Sequence, residues 1–282
     1  MSRWTDLRDR AVRWLLHQIG YYDSPSPEDT NPLPAEPPSG KTPPAPAQPE
    51  ARAKYAFGLA SCWDGANASR RMMNVLSPKM PVEKVAQYCA WMRSRGCTHA
   101  HVILANGGDG ECAGYAAWRD ADYGHMVTRL NEVRNAGFRC IPWLVTDDSD
   151  SLRAELFKEP AKLIAKMELF LRDAPLVVLG LEMDEGDATY NQWKKVRDAL
   201  KKVYSGPTGV HHKSGNGFPC ASLGDVVLGQ LNPGCTAAQV KSQIATIKRI
   251  GKRAVGFEYA RGAKRDLAQA ALDAGAEGVG NW

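Results

Sequence analysis

Residues 225–259 read DVVLGQLNPGCTAAQVKSQIATIKRIGKRAVGFEY, and this stretch decides the fold. It opens on an apolar run at 225–231, of strand length. Thr236 then stands where a helix N-cap belongs, because its hydroxyl can accept a backbone N–H that the first turn leaves unpaired. A helical pattern fills 236–250, and Gly251 follows it, where a left-handed residue ends a helix without steric cost. A second apolar run occupies 253–259. Strand, helix and strand at this spacing make a parallel pair, since the crossover helix returns the chain to the end where it began.

Outward from this unit the pattern repeats. Apolar runs at 55–63, 99–106, 139–146, 176–184, 208–213 and 276–281 complete a set of eight predicted strands. Helical patterns lie at 81–95, 123–136, 159–173, 189–204 and 263–274. Pro81 suits a first helical turn, and Gly96, Gly137 and Gly275 each stand just past a last turn. Eight strands favour a closed (β/α)8 barrel over a doubly wound open sheet, and no G-x-G-x-x-G follows the first strand. Gly58, Gly180 and Gly256 are expected in the barrel core. No helical pattern follows the eighth strand, so the amino-terminal helix or another chain is expected to cover that place.

Two segments precede the barrel. Trp4, Leu7, Ala11, Leu15 and Ile19 recur at helical spacing within residues 3–20, giving a short amphipathic helix. Residues 23–53 hold most of the prolines and almost no large apolar side chain, the composition of a semi-rigid linker spanning up to about 90 Å. The expected division is therefore 1–22, an attachment element for a protein assembly such as a phage particle; 23–53, a tether; and 54–282, the barrel.

Composition narrows the function classes. The 282 residues are 44% hydrophobic and 24% charged, enough apolar material for one large core. The net charge of +5 is spread along the chain, so nucleic-acid binding has no footprint. The 7 cysteines form no C-x-x-C pair and are expected to be mostly buried thiols in a chain made in a reducing cytoplasm. The arginines near the start are followed only by Trp14-Leu15-Leu16, too short for a signal-peptide core or a membrane span.

Barrel enzymes place their chemistry at the carboxyl ends of the strands, where the loops converge. The fourth strand runs into Glu182-Met183-Asp184, the seventh into Glu258, and the first leads toward Asp64. Alternation sets Val178, Gly180, Glu182 and Asp184 on one face, and Ala254, Gly256 and Glu258 on another. The small residues beneath each acid suggest a narrow interior. Paired carboxylates across a pocket serve glycosidic cleavage, in which one acid donates a proton while the other attacks or activates water.

In these positions the chain resembles the large clan of retaining barrel glycosidases. That resemblance implies Glu182 as acid/base, Glu258 as nucleophile, and Asp64 and Asp184 as supporting acids. At residue 181 this chain has Leu where the clan usually has Asn. It also looks somewhat like barrel-type phage muramidases, which use an acid on the first strand and an acid-x-acid pair on the fourth, here Asp64 with Glu182 and Asp184.

Flat aromatic faces stack on sugar rings, which makes Trp63, Trp143, Tyr259 and Trp282 candidates, Trp143 having the alternative of packing under an outer helix. Gln230, Asn232 and one of His211 or His212 could bind hydroxyls, since adjacent residues of a strand point to opposite faces. His99 and His101 stand at the start of the second strand, away from the loops. No cofactor or metal is expected, for want of ligand spacing. The glycine-rich segments 106–110 and 214–217 read as rim loops. The rival reading is a non-catalytic barrel that binds carbohydrate or serves as a structural appendage of a larger assembly.

Overall fold

The computed structural model describes residues 56–59, 74–94, 96–108, 112–146, 149–184, 188–213, 217–231, 234–257 and 265–280. The amino-terminal helix and the proline-rich segment lie outside the described residues, and the boundaries expected at 22 and 53 with them.

The described elements are, in order, β1 (Gly58–Leu59), α1 (Val82–Ser94), β2 (His99–Ile103), β3 (Ala105–Asn106), β4 (Tyr115–Ala116), α2 (Asp120–Asn135), β5 (Arg139–Trp143), α3 (Asp150–Lys158), α4 (Pro160–Lys166), α5 (Glu168–Leu171), β6 (Val177–Val178), α6 (Tyr190–Leu200), β7 (Thr208–His212), β8 (Val226–Gly229), α7 (Ala237–Arg249), β9 (Arg253–Phe257), α8 (Arg265–Asp273) and β10 (Gly278–Gly280). Each of the eight predicted runs contains a strand of one parallel sheet, ordered β1-β10-β9-β8-β7-β6-β5-β2. β3 and β4 form a small antiparallel hairpin, splitting off what the sequence reads as the end of the second strand. The sheet curls into a nearly closed (β/α)8 barrel. No backbone ladder joins β1 to β2 among the described residues, yet Gly58 lies against Thr98 and His99 so closely that a Cβ would collide with both side chains.

Local chemistry explains why these residues form these elements. Thr236 caps α7 in a reciprocal capping box with Gln239, and Thr189 with Gln192 does the same for α6. Gly96, Gly137, Gly251 and Gly275 take φ of 78°, 92°, 76° and 88°, the left-handed conformation that ends a helix. The helix expected at 159–173 begins earlier and is broken into α3, α4 and α5. Pro160 has no N–H to continue α3 and instead opens α4.

The barrel interior differs from the one expected. Trp143, Val178, Gly209 and Val226 are successive register partners and therefore share a face. On that face the rings of His101, Trp143, His211 and Phe257 meet at centroid distances of 4.8 to 5.6 Å. Trp143 thus fills the barrel and packs neither under an outer helix nor against solvent; it is fully buried. With Phe257 inside, alternation turns Ala254 and Gly256 toward the helices. Gly256 pairs with Gly229, where a Cβ would meet Gln243 and Ile247 of α7. Gly180 likewise faces outward, against the indole of Trp193 on α6. Of the three glycines expected in the interior, only Gly58 lies there. The physical reason is that a small barrel must be filled with bulky side chains, whereas glycines on its outer face let helices approach.

Candidate active site

The backbone of the fourth barrel strand changes course just before its acids. Leu179 N–H donates to Gly209 on β7, but Leu181 N–H donates to Val145 on the β5 side, and Met183 N–H returns to His211. In a regular strand residues two apart bond to the same neighbour, so the chain turns over between 179 and 181. Gly180, pressed against Trp193, is the residue at that reversal.

The reversal leads into Glu182, one of two non-glycine residues with positive φ among those described, at 43°. A left-handed glutamate costs energy that neighbouring contacts must offset. His211 supplies one, its Nδ1 accepting the Glu182 N–H at 2.9 Å. Lys213 supplies another, its Nζ lying 3.3 Å from Glu182 Oε2. Glu182 is largely buried, with 10% of its side chain exposed. An ion pair at this distance joins a carboxylate to an ammonium, the charge state of a base or electrostatic stabiliser.

Asp184 does not share the surroundings of Glu182. Its side chain is fully buried, with Oδ1 accepting the Lys213 N–H at 3.0 Å and lying 3.8 Å from His212 Nδ1. That second separation is too long for a hydrogen bond. Burial by itself would push the Asp184 carboxyl up, but His212 and the Lys213 amide together hold it below the usual carboxylate range. His211 and His212 point to opposite faces as expected, His211 into the barrel and His212 toward Phe218, at a ring separation of 5.7 Å.

The interior histidines are neutral. Burial lowers His101 and His211 to about 3, each helped by the neighbouring imidazole. Trp143 Nε1–H donates to His101 Nδ1 at 2.7 Å, which leaves the His101 proton on Nε2. Gln230 is buried at the end of β8; its carbonyl accepts from Gln243, and its Oε1 has no hydrogen-bond partner among the described residues. Asp64, Glu258, Trp63, Asn232, Tyr259 and Trp282 lie outside the described residues.

Sequence reasoning missed Lys213, His101 and Phe257. The signal for the last two was their bulk, which suits the interior of a narrow barrel; the signal for Lys213 was its place at the end of the fifth strand. Of the six described cysteines Cys89, Cys140 and Cys220 are buried thiols, pushed up by burial to about 11, 12 and 11, while Cys97, Cys112 and Cys235 are half-buried, so fewer are buried than expected. Among the described residues no three His, Cys, Asp or Glu side chains could hold a metal, and no helix is long and apolar enough to cross a membrane.

No family model matches the sequence, and no curated protein matches it. Solved structures do match. The catalytic domain of a GH53 enzyme from Ignisphaera aggregans superposes with a TM-score of 0.54 at 12% identity, over 85% of this chain and 87% of that one. A GH113 β-1,4-mannanase gives 0.51 at 11%, over 81% and 88%. An exo-β-1,4-mannosidase from Opitutaceae bacterium strain TAV5 gives 0.50 at 14%, over 72% of this chain and 48% of that one. At such identities the likeness is one of fold, the barrel that this chain shares with those enzymes.

Proposed function

We propose that this chain is a glycoside hydrolase that cleaves a glycan at the carboxyl end of its barrel, with Glu182 as acid/base and Glu258 as nucleophile. The observation that carries the reading is Glu182 itself. A carboxylate is held in a left-handed turn at the end of the fourth strand, on a barrel whose structural likenesses include solved glycosidases. Asp184, buried behind it, supports the turn rather than touching substrate, and Asp64 is the other supporting acid. Gln230, whose Oε1 has no hydrogen-bond partner among the described residues, is suited to a sugar hydroxyl; Trp63, Asn232, Tyr259 and Trp282 complete the proposed binding set. Residues 1–22 are the proposed attachment to a larger assembly, phage-borne or otherwise, with 23–53 as the tether.

One observation favours the rival, a non-catalytic barrel that binds carbohydrate or serves as a structural appendage. Lys213 holds Glu182 in an ion pair with little exposure, and a proton donor must leave such a pair before it can act. Turnover decides between the two. Wild-type protein is assayed against β-linked glycans and activated aryl glycosides, with Glu258→Gln and Glu182→Gln beside it. The glycosidase reading expects Glu258→Gln to lose at least about a thousandfold on every substrate. It expects Glu182→Gln to lose about 10² to 10⁴ on natural glycans while sparing the first step on an aryl glycoside. Sugar binding without turnover would establish the rival. A retaining pair further requires a carboxyl separation of about 5 to 5.5 Å, an inverting pair about 6.5 to 9.5 Å.

A further inference from the structure

We infer that His211 is a positioning residue that fixes the Glu182 turn from inside the barrel. Two successive N–H groups of that turn end on this one residue. The Glu182 N–H donates to the His211 ring at Nδ1, 2.9 Å away, and the Met183 N–H donates to the His211 carbonyl at 3.0 Å. Lys213, just past the end of β7, continues the pattern, giving its N–H to Asp184 and its ammonium to Glu182. The turn at 182–184 is thus tied to residues 211–213 at each step.

The chemistry of the position favours an imidazole. Glu182 is buried and left-handed, so its inward N–H reaches neither a strand partner nor bulk water, and a buried N–H left unpaired keeps its full desolvation penalty. An aliphatic side chain at 211 would fill the barrel but accept nothing. The ring of His211 does both, packed at 5.3 Å from Trp143 and 5.5 Å from Phe257. Because Nδ1 accepts, the proton sits on Nε2, which has no hydrogen-bond partner among the described residues. Trp143, which touches His211, is itself anchored on His101. The orientation of Glu182 is therefore tied to the packing of the barrel centre.

The role deepens the glycosidase reading, because an oriented Glu182 matters to function only if Glu182 does chemistry. The test separates the two. Full-length protein, nitrogen-15 labelled, is compared with His211→Leu, which keeps bulk and loses the acceptor, and His211→Asn, which loses bulk and keeps an acceptor. Positioning expects His211→Leu to speed hydrogen exchange at the Glu182 amide on the order of tenfold relative to wild type, with His211→Asn restoring much of the protection. It also expects the wild-type ring to show an unprotonated Nδ1. Mere filling of the barrel expects the opposite ranking, with Leu harmless and Asn the more damaging. Unchanged exchange at Glu182 in His211→Leu, or a protonated Nδ1 in the wild type, would overturn the inference. On any substrate the wild type cleaves, His211→Leu should lower kcat with little change in KM. A wild type that cleaves nothing would defeat the glycosidase reading, while the exchange data would still decide the role of His211.

Discussion

The two ends of the barrel are built on different terms. At the amino end charges find partners. Asp225 accepts from the Thr208 N–H and from Lys201, and Arg253 holds Glu277 through Nε at 3.0 Å while its guanidinium covers the Phe57 ring at 4.7 Å. At the carboxyl end Asp184 Oδ2, His211 Nε2, both ring nitrogens of His212 and Gln230 Oε1 are buried without a hydrogen-bond partner among the described residues. Toward the amino end His99 Nε2 and Arg197 Nε are in the same condition among the described residues. Buried polar atoms in this condition are ones that water or a ligand must serve. Partnered charge is concentrated at the first end and unmet polar capacity, among the described residues, at the second.

The sharpest way to break this contrast is at Gly58, where the barrel seam has no ladder. Its φ is 56°, and an added Cβ would run into Thr98 and His99. Gly58→Val should cost about 4 kcal/mol or more, from strain plus overpacking, and show as a large fall in the urea midpoint. A near-normal midpoint would mean that the seam gives way easily and that closure does not depend on it.

Acid should discriminate next. Burial lowers His99 to about 4 and His101 and His211 to about 3, against about 6.5 in an unfolded chain. Below about 6.5 the unfolded chain takes up protons that the folded barrel refuses, so stability is full above that pH and is lost as pH falls toward about 4. The loss by pH 4.5 should be on the order of 2–3 kcal/mol for each of the three histidines, before Asp184 and Asp225, both held below the usual range, begin to contribute. His101→Gln should flatten the profile, as measured by denaturation at a series of pH values. A profile already flat in the wild type would show that the interior histidines take up protons freely.

The smallest effects compare the two ends directly. Arg253→Met removes an ion pair and a ring contact at the amino end and should cost about 1 to 1.5 kcal/mol. Lys213→Met leaves the mostly buried Glu182 carboxylate at the carboxyl end without its cation and should cost about 2–3 kcal/mol in stability at neutral pH. If thermal unfolding ranks these two the other way, Glu182 is served by water rather than by Lys213 and the pair does not hold the turn.

Sequence by itself determined the repeat. Each of the eight apolar runs contains a barrel strand, and Thr236, Gly96, Gly137, Gly251 and Gly275 mark helix ends as read, because period, capping and left-handed glycine are properties of a few neighbouring residues. It also found Glu182 at a strand end and the opposed faces of His211 and His212. Tertiary structure alone decided which face of each strand lies inside. Gly180 and Gly256 looked like interior residues, but facing inward is a matter of how much volume eight strands enclose, and that volume takes Trp143, Phe257, His101 and His211. The same holds for the reversal at Gly180, which separates Asp184 from Glu182, and for the Lys213 ion pair. Both arise where segments some thirty residues apart in the chain meet, a juxtaposition that no local spacing encodes.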